Sequence, residues 1–431
     1  MMTTDPISTR KRLATGRRAA ATLKGLAFLF LMASPPAMAH HKAPLPVEPK
    51  ELQAPEGEAY GRVRHLDGEV HLLRQSQIIE SDVRPNTPLA PGDVIETGDH
   101  SQMEIQLADG TVVRLDGRTR VTFLALAGSL GEYENRTLIS LDYGSLSLDV
   151  ADLDPDQEIL RVDTDAATLL VLSPGLFRLD AGAGGGTRVR SRAGVMELLA
   201  GDESTLIRSG ESTFVAPGHP AEPPRLASTR GGDDFDIYVA RRRLDYLEEA
   251  RGVRQADRRY LEDLPRPIQP YFLELDHYGE WEDDPIYGTL WAPVVPSGWR
   301  PYRNGYWLER PIGWTWISSD PWGYAPYHYG RWEYLAPRGW CWLPGAVYAP
   351  AWVSWAYTDT AIGWTALGWY DYPSGWSLHL SFGSFHSPYW SFVAFHDFPH
   401  HHAERLVIHD RVVIHDVVYA RRPPAIRAGD F

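Results

Sequence analysis

Residues 101–123 read SQMEIQLADGTVVRLDGRTRVTF, and apolar and polar side chains alternate along them. Met103, Ile105 and Leu107 lie on one side of a strand, because successive side chains of a strand face opposite ways. Two Asp-Gly pairs separate the alternating segments and supply the positive φ that a tight hairpin turn requires. We therefore expect consecutive short strands, each with one face buried and the other face in water.

The alternation extends in both directions, from Tyr60 to about Ala216. It is cleanest in residues 144–150, which read GSLSLDV. With 38 Gly and 34 Pro among 431 residues, the chain also favours turns and short strands over long helices. The fold class expected is mainly β, and residues 60–216 are expected to form one β-domain.

Two segments of this region resemble a FecR-type domain, whose pattern is pG-D-x-I-x-T-G-x-x-S-x-x-x-I-x-L-x-D-G-s. They are LAPGDVIETG at residues 89–98 and IQLADGT at residues 105–111. The resemblance implies a compact β-fold, often likened to a short β-solenoid, of the kind used as periplasmic sensor modules in iron-uptake signalling. The usual R-G-T-x-F-x-V segment is replaced by residues 172–179. The anti-sigma segment and membrane span of the namesakes are not recognisable ahead of the domain, so signalling to a sigma factor is not expected.

Tryptophan is confined to one part of the chain, since all 16 Trp lie between Trp281 and Trp390. Gly-x-Trp elements recur about every 25 residues, a period typical of stacked supersecondary units. Each element is followed by a second strand and a Pro-aromatic segment, and a weaker fourth copy runs through Trp355, Trp364 and Trp369. One hairpin alone is marginally stable, so neighbouring copies are expected to cover each other's rings. Residues 271–372 are therefore expected to form a Trp/Tyr-rich β-hairpin repeat domain.

Four elements of this repeat also resemble a family of exported bacterial proteins, known only for a Trp/Tyr-rich domain of unknown function. The elements lie at residues 278–281, 313–316, 320–332 and 339–345. They correspond to Y-G-x-W, G-W-x-W, D-P-W-G-x-x-P-Y-H-Y-G-R-W and G-W-C-W-x-P-G. The resemblance implies no established activity.

A charged helix is expected to join the two β-domains, over residues 233–263 of a linker that spans residues 217–270. Two aspartates open it, and negative charge at a helix N-terminus is favourable. Ile237, Leu244 and Leu247 contribute a rough apolar stripe among Arg and Glu side chains. The simplest interpretation is a connector.

The N-terminus has the three parts of a secretory signal peptide: a basic region, an apolar run and the small-x-small pattern Ala37-Met38-Ala39. The apolar run, residues 25–32, is far shorter than the about 20 residues that span a bilayer. We expect residues 1–39 to be removed after export to the periplasm or cell surface, with no transmembrane span in the mature chain. Residues 40–59 form a Pro-rich spacer, and residues 373–431 an aromatic, His-rich tail.

Charge and cysteine content exclude several functions. A net charge of −14 disfavours nucleic-acid binding, which needs a basic face. With Cys341 alone, the chain has neither an intramolecular disulfide nor a zinc site built of cysteines. Nucleophile-elbow, zinc-protease, phosphate-loop and dinucleotide-binding motifs are all missing from the sequence, so neither catalysis nor a cofactor is expected.

Two groups of side chains are candidates for binding. Trp and Tyr rings can stack on sugars, and the Pro-aromatic segments are expected to carry such a face; the alternative is that these rings form the core. The residues are Trp299, Tyr302, Trp322 and Tyr327. The tract His400, His401 and His402 is a weaker candidate for a transition metal, against the alternative of a polar surface tract.

The sequence as a whole favours a non-enzymatic binding or scaffolding protein of the cell envelope, contacting a glycan or another envelope protein. A second hypothesis is a periplasmic sensor or regulatory module that recognises a partner protein through the FecR-like domain. A hydrolase acting on envelope glycan is a distant third.

Overall fold

The computed structural model describes most of the chain from Tyr60 onwards, within one compact unit of residues 46–431. The expected signal peptide, the spacer and the His400–His402 tract lie outside the described residues. The residues described are 60–75, 77–81, 83–127, 135–182, 184–227, 232–252, 257–357, 360–373, 389–398 and 418–420.

The first seventeen strands form the N-terminal β-region, residues 60–226. They are β1 (Gly61–Asp67), β2 (Val70–Arg74), β3 (Gln77–Glu80), β4 (Pro88–Leu89), β5 (Asp93–Thr97), β6 (Gln102–Gln106), β7 (Val112–Leu115), β8 (Arg120–Ala125), β9 (Arg136–Val150), β10 (Ile159–Asp163), β11 (Thr168–Val171), β12 (Gly175–Ala181), β13 (Thr187–Ala193), β14 (Met196–Ala200), β15 (Glu203–Ile207), β16 (Glu211–Val215) and β17 (Arg225–Leu226).

These strands form two sheets that share β9 and enclose one core. Sheet 1 has the order β4-β1-β6-β7-β9-β12-β13-β16-β17, and sheet 2 the order β3-β2-β5-β8-β9-β10-β11-β14-β15. The chain crosses between the sheets after every one or two strands, so it winds round the core. The described strand pairs are antiparallel, apart from the parallel pair β9–β10.

Strand β9 changes sheet at Gly144, where φ is +98°. Its first half pairs with β8 and β10 in sheet 2, and its second half with β7 and β12 in sheet 1. A Cβ at Gly144 would lie 2.5 Å from Thr119 Cα. Only glycine therefore fits both the backbone conformation and the space at this crossing.

Four helices and two 3₁₀ turns are found among the described residues. They are α1 (Asp234–Gly252), α2 (Arg258–Asp263), a 3₁₀ turn (Arg266–Tyr271), α3 (Phe272–Tyr278), α4 (Ala325–His328) and a second 3₁₀ turn (Phe395–Asp397). The mainly β fold with a helix between its two β-regions is thus confirmed. None of the helices among the described residues is both long and apolar enough to cross a membrane.

The polar face of sheet 1 is buried along β1, β6 and β7, so for these strands the expectation that it faces water is wrong. Glu104 and Arg114 are both almost completely inaccessible. The covering elements supply the compensating charges: the Glu104 carboxylate accepts hydrogen bonds from Arg114 (2.7 Å) and from Arg242 of α1 (3.2 Å). Period-two alternation distinguishes the two faces of a strand, but it does not say what covers the polar one.

Helix α1 is consequently docked on sheet 1, and it is more than a connector. Its buried apolar contacts are few, and the core cluster at its N-terminus consists of Leu176, Phe235, Tyr238 and Val239. Ion pairs complete the attachment at both ends of the helix. They are Arg178–Asp233, Arg178–Asp236, Arg192–Asp236, Arg242–Glu104, Arg243–Asp149 and Arg64–Glu249. Hydrogen bonds from Arg178 lower the pKa of Asp233 to about 2.

The remaining strands form the Trp-rich region, residues 279–420. They are β18 (Gly279–Asp284), β19 (Gly288–Pro293), β20 (Gly305–Arg310), β21 (Gly313–Ser318), β22 (Tyr329–Leu335), β23 (Gly339–Tyr348), β24 (Val353–Tyr357), β25 (Ala361–Ala366), β26 (Ser391–Ala394) and β27 (Val418–Ala420). Three sheets result, with the orders β18-β19-β23-β22, β20-β21 and β26-β25-β24-β27.

Each of the four expected hairpins contains a pair of tryptophans directly opposite each other. The pairs are Trp281–Trp291, Trp307–Trp316, Trp332–Trp342 and Trp355–Trp364. Rings of different hairpins also touch, as Trp307 and Trp355 do with centroids 4.6 Å apart. Such aromatic pairs stabilise a fold by about 0.5–1.5 kcal/mol each, beyond the area they bury.

Polar contacts in the centre of the structure join the Trp-rich region to the N-terminal β-region. Asp93 of β5 pairs with Arg310 of β20, and both side chains are buried. Arg62 of β1 forms a bidentate ion pair with Glu274 of α3, and both hydrogen bonds are 2.8 Å long. The Asn86 amide donates to the carbonyls of Ser318 and Asp320. We refer to these contacts as the junction.

Replacing Arg310 by Ala would leave the Asp93 carboxylate buried with Arg74 as its remaining cation. We expect the free energy of unfolding to fall by about 3–5 kcal/mol, the usual cost of breaking a buried ion pair. Arg338→Ala removes the more exposed pairs with Glu282 and Asp284 and should cost far less, because solvent screens such pairs. Urea unfolding of both variants measures the contrast, and equal losses would contradict a stabilising junction.

His328 lies between Tyr324 and Tyr348, and burial lowers its pKa to about 4. The unfolded chain takes up this proton below a pH of about 6.5, but the folded chain does not, so stability is lost as the pH falls. Between pH 7 and pH 5 this residue alone should lower the free energy of unfolding by about 2 kcal/mol. His328→Phe keeps the ring but cannot titrate. Urea unfolding at both pH values should therefore show a smaller difference for the variant than for the native chain.

Candidate binding surface

The four residues predicted to bind glycan lie together, but in the core. The Trp322 and Tyr327 rings stack with centroids 5.9 Å apart, and Tyr302 and Trp299 complete the group. Tyr302 and Tyr327 have no accessible surface, Trp322 is buried, and Trp299 is half-buried. Rings that are covered on both faces cannot stack on a sugar. In this structure they pack the Trp-rich region.

Hydrogen bonds fix these tyrosines in place. The Tyr302 hydroxyl donates to the Tyr327 carbonyl (2.7 Å) and accepts from the Trp352 amide (3.0 Å). The Tyr327 hydroxyl donates to the Asp320 carboxylate at 2.7 Å. Burial raises the pKa of Asp320, and its second oxygen accepts from Asn304, so this carboxyl serves the core.

Among the described tryptophans, Trp369 is the one with an exposed ring, at 43% of its full accessibility. Tyr370 and Tyr372 are exposed beside it, on the turn that follows β25. The Gly368 amide donates to the Tyr372 carbonyl (2.8 Å), and the Asp371 amide donates to the Gly368 carbonyl (3.0 Å). We call residues 368–372 the aromatic turn.

Strand β22 holds the aromatic turn through two side chains on one face. Arg331 and Glu333 are two residues apart, so they share a face, and Trp332 between them points into the core. Arg331 donates to the Asp371 carboxylate and lies 3.5 Å over the Trp352 ring. The Glu333 carboxylate accepts from the Trp369 amide (3.1 Å).

This anchoring has consequences for the chemistry of the turn. Asp371 adopts a φ of +59°, a left-handed conformation that its ion pair with Arg331 supports. Partial burial raises the pKa of Glu333. The Trp369 ring meets Tyr287 edge to face, with centroids 6.0 Å apart, and the exposed Ile286 adjoins Tyr287 in sequence. The aromatic turn thus combines exposed aromatic rings with two neighbouring carboxylates.

Trp369 belongs to the fourth copy of the repeat, but the pattern alone does not distinguish it from the buried tryptophans. A usable signal was its position: residues 368–372 read GWYDY and follow the fourth hairpin, so they stand at the end of the recognisable repeat, next to one neighbouring copy instead of two. Terminal repeats differ from internal ones for this reason.

Two other side chains that could in principle be reactive, Cys341 and Asp284, have structural roles. Burial raises the pKa of Cys341 to about 11, which leaves a protonated thiol. Asp284 pairs with Arg338. Within the described part of the chain, no group of three or more His, Cys, Asp or Glu side chains is arranged to hold a metal.

Comparisons with known proteins find a family match within each of the two β-regions. Residues 93–197 match the FecR protein family, and residues 272–371 match a family of unknown function, DUF6600. The chain carries a FecR domain followed by a DUF6600 domain. Both resemblances drawn from the sequence are therefore confirmed. In these terms, Asp93 of the junction belongs to the FecR domain, and the aromatic turn lies at the C-terminal end of the DUF6600 match.

Solved structures include two similar chains, crystallised at 2.50 and 1.65 Å resolution, of a protein assigned as an anti-sigma factor from Parabacteroides distasonis. Each has 19% identity and a TM-score of 0.27. The similarity covers 32% of this chain and 61% of the length of those chains. No curated protein matches.

The exposure of Trp369 can be measured by iodide quenching, because iodide reaches only rings at the surface. We expect Trp369→Phe to remove a large part of the quenchable fluorescence, whereas Trp322→Phe, at a buried position, should leave the quenchable part intact. Quenching that is unchanged by Trp369→Phe would contradict an exposed ring at this position.

Proposed function

We propose that this protein is a non-enzymatic binding protein of the bacterial cell envelope, which holds a glycan through its aromatic turn. The observation that carries the proposal is the contrast among the tryptophans. Twelve of the described ones are buried in the core, whereas Trp369 stands exposed with Tyr370 and Tyr372 on a turn fixed by Arg331 and Glu333.

The chemistry of such a surface suits a sugar ring. Aromatic side chains offer a large apolar face with little conformational entropy to lose, and sugar C–H groups can pack on that face. The carboxylates of Asp371 and Glu333 are hydrogen-bond acceptors beside the rings. Because the turn is already closed by its own hydrogen bonds, binding does not have to order it.

Charge narrows the class of glycan. The chain has a net charge of −14, and removal of the six basic residues and one acidic residue of the proposed leader makes it more negative. Long-range repulsion therefore disfavours phosphate-rich or uronic polymers. An uncharged polysaccharide of the envelope fits best, and the signal-peptide pattern of residues 1–39 supports export to that compartment.

The test is a calorimetric titration with soluble peptidoglycan fragments and with neutral exopolysaccharide oligosaccharides. We expect saturable binding to the neutral oligosaccharides, weakened about fivefold or more by Trp369→Ala, since an aromatic contact of this kind contributes about 1 kcal/mol or more. Tyr334→Ala is the matched control. Tyr334 is as exposed as Trp369 but lies on the opposite face of β22 from Glu333. Equal losses in both variants, or no binding at all, would overturn the proposal.

A second function is favoured by the FecR match over residues 93–197: a regulatory module that recognises a partner protein. The outermost described strands of sheet 2 are β3 and β15, and they carry the exposed apolar side chains Ile78 and Leu206. Exposed strand edges accept strands from other chains. Crosslinking in an envelope extract distinguishes the two functions. A protein captured by the native chain, lost with Ile78→Asp or Leu206→Asp and retained with Trp369→Ala, would favour this second function.

A further inference from the structure

Helix α1 turns an apolar stripe towards solvent, on the side opposite its contacts with sheet 1. Ile237, Leu244 and Leu247 are 59%, 60% and 49% exposed. Phe235, Tyr238 and Val239, on the other side of the helix, are buried. The ion pairs at both ends hold the helix in place, so the stripe is displayed on a fixed support.

Two opposite charges flank the stripe on one side, at nearly equal distances before and after Leu244 along the helix axis. At 3.6 residues per turn, Arg241 lies about 60° to one side of Leu244, and Glu248 about 40° to the same side. Ala240 and Leu247 lie at similar angles on the other side. All four side chains are exposed. Arg241 is three residues before Leu244 and Glu248 is four after it, so their distances from Leu244 along the axis differ by about 1.5 Å.

We propose that the protein self-associates through α1, with two copies of the helix packed antiparallel about a twofold axis at Leu244. Such an axis keeps residues of one flank together and exchanges the two directions along the helix. Arg241 of each copy then meets Glu248 of the other, Leu247 meets Ala240, and Leu244 meets its own counterpart. A parallel twofold arrangement would instead place Arg241 and Glu248 against the flank that carries Ala240 and Leu247 in the partner, so neither charge would meet an opposite one. The charge pattern therefore selects a second copy in the antiparallel orientation.

The association should be weak. A stable interface buries about 1,200–2,000 Å² in total, and one pair of helices about 28 Å long covers less than that. The net charge of −14 on each copy also opposes contact, although about 0.15 M salt shortens the range of this repulsion to about 8 Å. We expect a monomer–dimer equilibrium in the high micromolar range.

Sedimentation velocity of the purified full chain, from 5 to about 500 µM in 0.15 M salt, tests the surface and the orientation together. We expect the dimer to form with rising concentration and to be abolished by Leu244→Asp, which places two carboxylates at the axis. Val294→Asp, at an apolar loop position that is 77% exposed, is the control and should leave the equilibrium unchanged.

Charge reversal gives the decisive comparison. Arg241→Glu and Glu248→Arg should each raise the dissociation constant about tenfold, because each creates two like-charged contacts per dimer. The double variant restores opposite charges and should return to within about threefold of the native value. A monomer at every concentration, a dimer indifferent to Leu244→Asp, or a double variant without recovery would each overturn the proposal.

Discussion

Several charges on the outer face of sheet 1 have almost no access to bulk water, because α1 and α3 cover them and supply charges that neutralise them. Glu104 is met by Arg114 and by Arg242 of α1, and Arg62 is met by Glu274 of α3. A buried charge without a partner would cost several kcal/mol, so removal of one partner while α1 and α3 still cover the sheet would be strongly destabilising. The N-terminal β-region is therefore complete only with the elements that follow it in the chain.

The Trp-rich region achieves cohesion by a different route. Its opposed tryptophans repeat the same register in each of the four hairpins, and rings such as Trp307 and Trp355 link one hairpin to the next. This explains how a region of short strands and many turns remains compact although the chain has a single cysteine. The same packing removes most rings from contact with ligands, so abundant tryptophan is here a property of the core.

Local patterns in the sequence predicted the elements well, because strand alternation, Asp-Gly turns and the Trp repeat are short-range features. The helix expected from Asp233 begins at Asp234, and the fourth hairpin lies at Trp355 and Trp364 as expected. Exposure could not be predicted in the same way. Trp322 and Trp369 both stand in Gly-rich aromatic segments, and only tertiary packing decides that the first is covered and the second is not. The polar face of β6 likewise resembles a solvent-facing one until the covering helix is known.

The indole N–H groups explain why these core positions hold tryptophan in particular. Trp291, Trp332, Trp342, Trp352 and Trp364 each donate to a backbone carbonyl, at Leu275, Pro326, Tyr329, His328 and Tyr302 respectively. Phenylalanine would fill much of the same volume but would lose the hydrogen bond that the indole N–H donates. Substitution of one aromatic residue by another at these five sites is therefore constrained by hydrogen bonding as well as by size. An evolutionary exchange that conserves hydrophobicity would still weaken the fold.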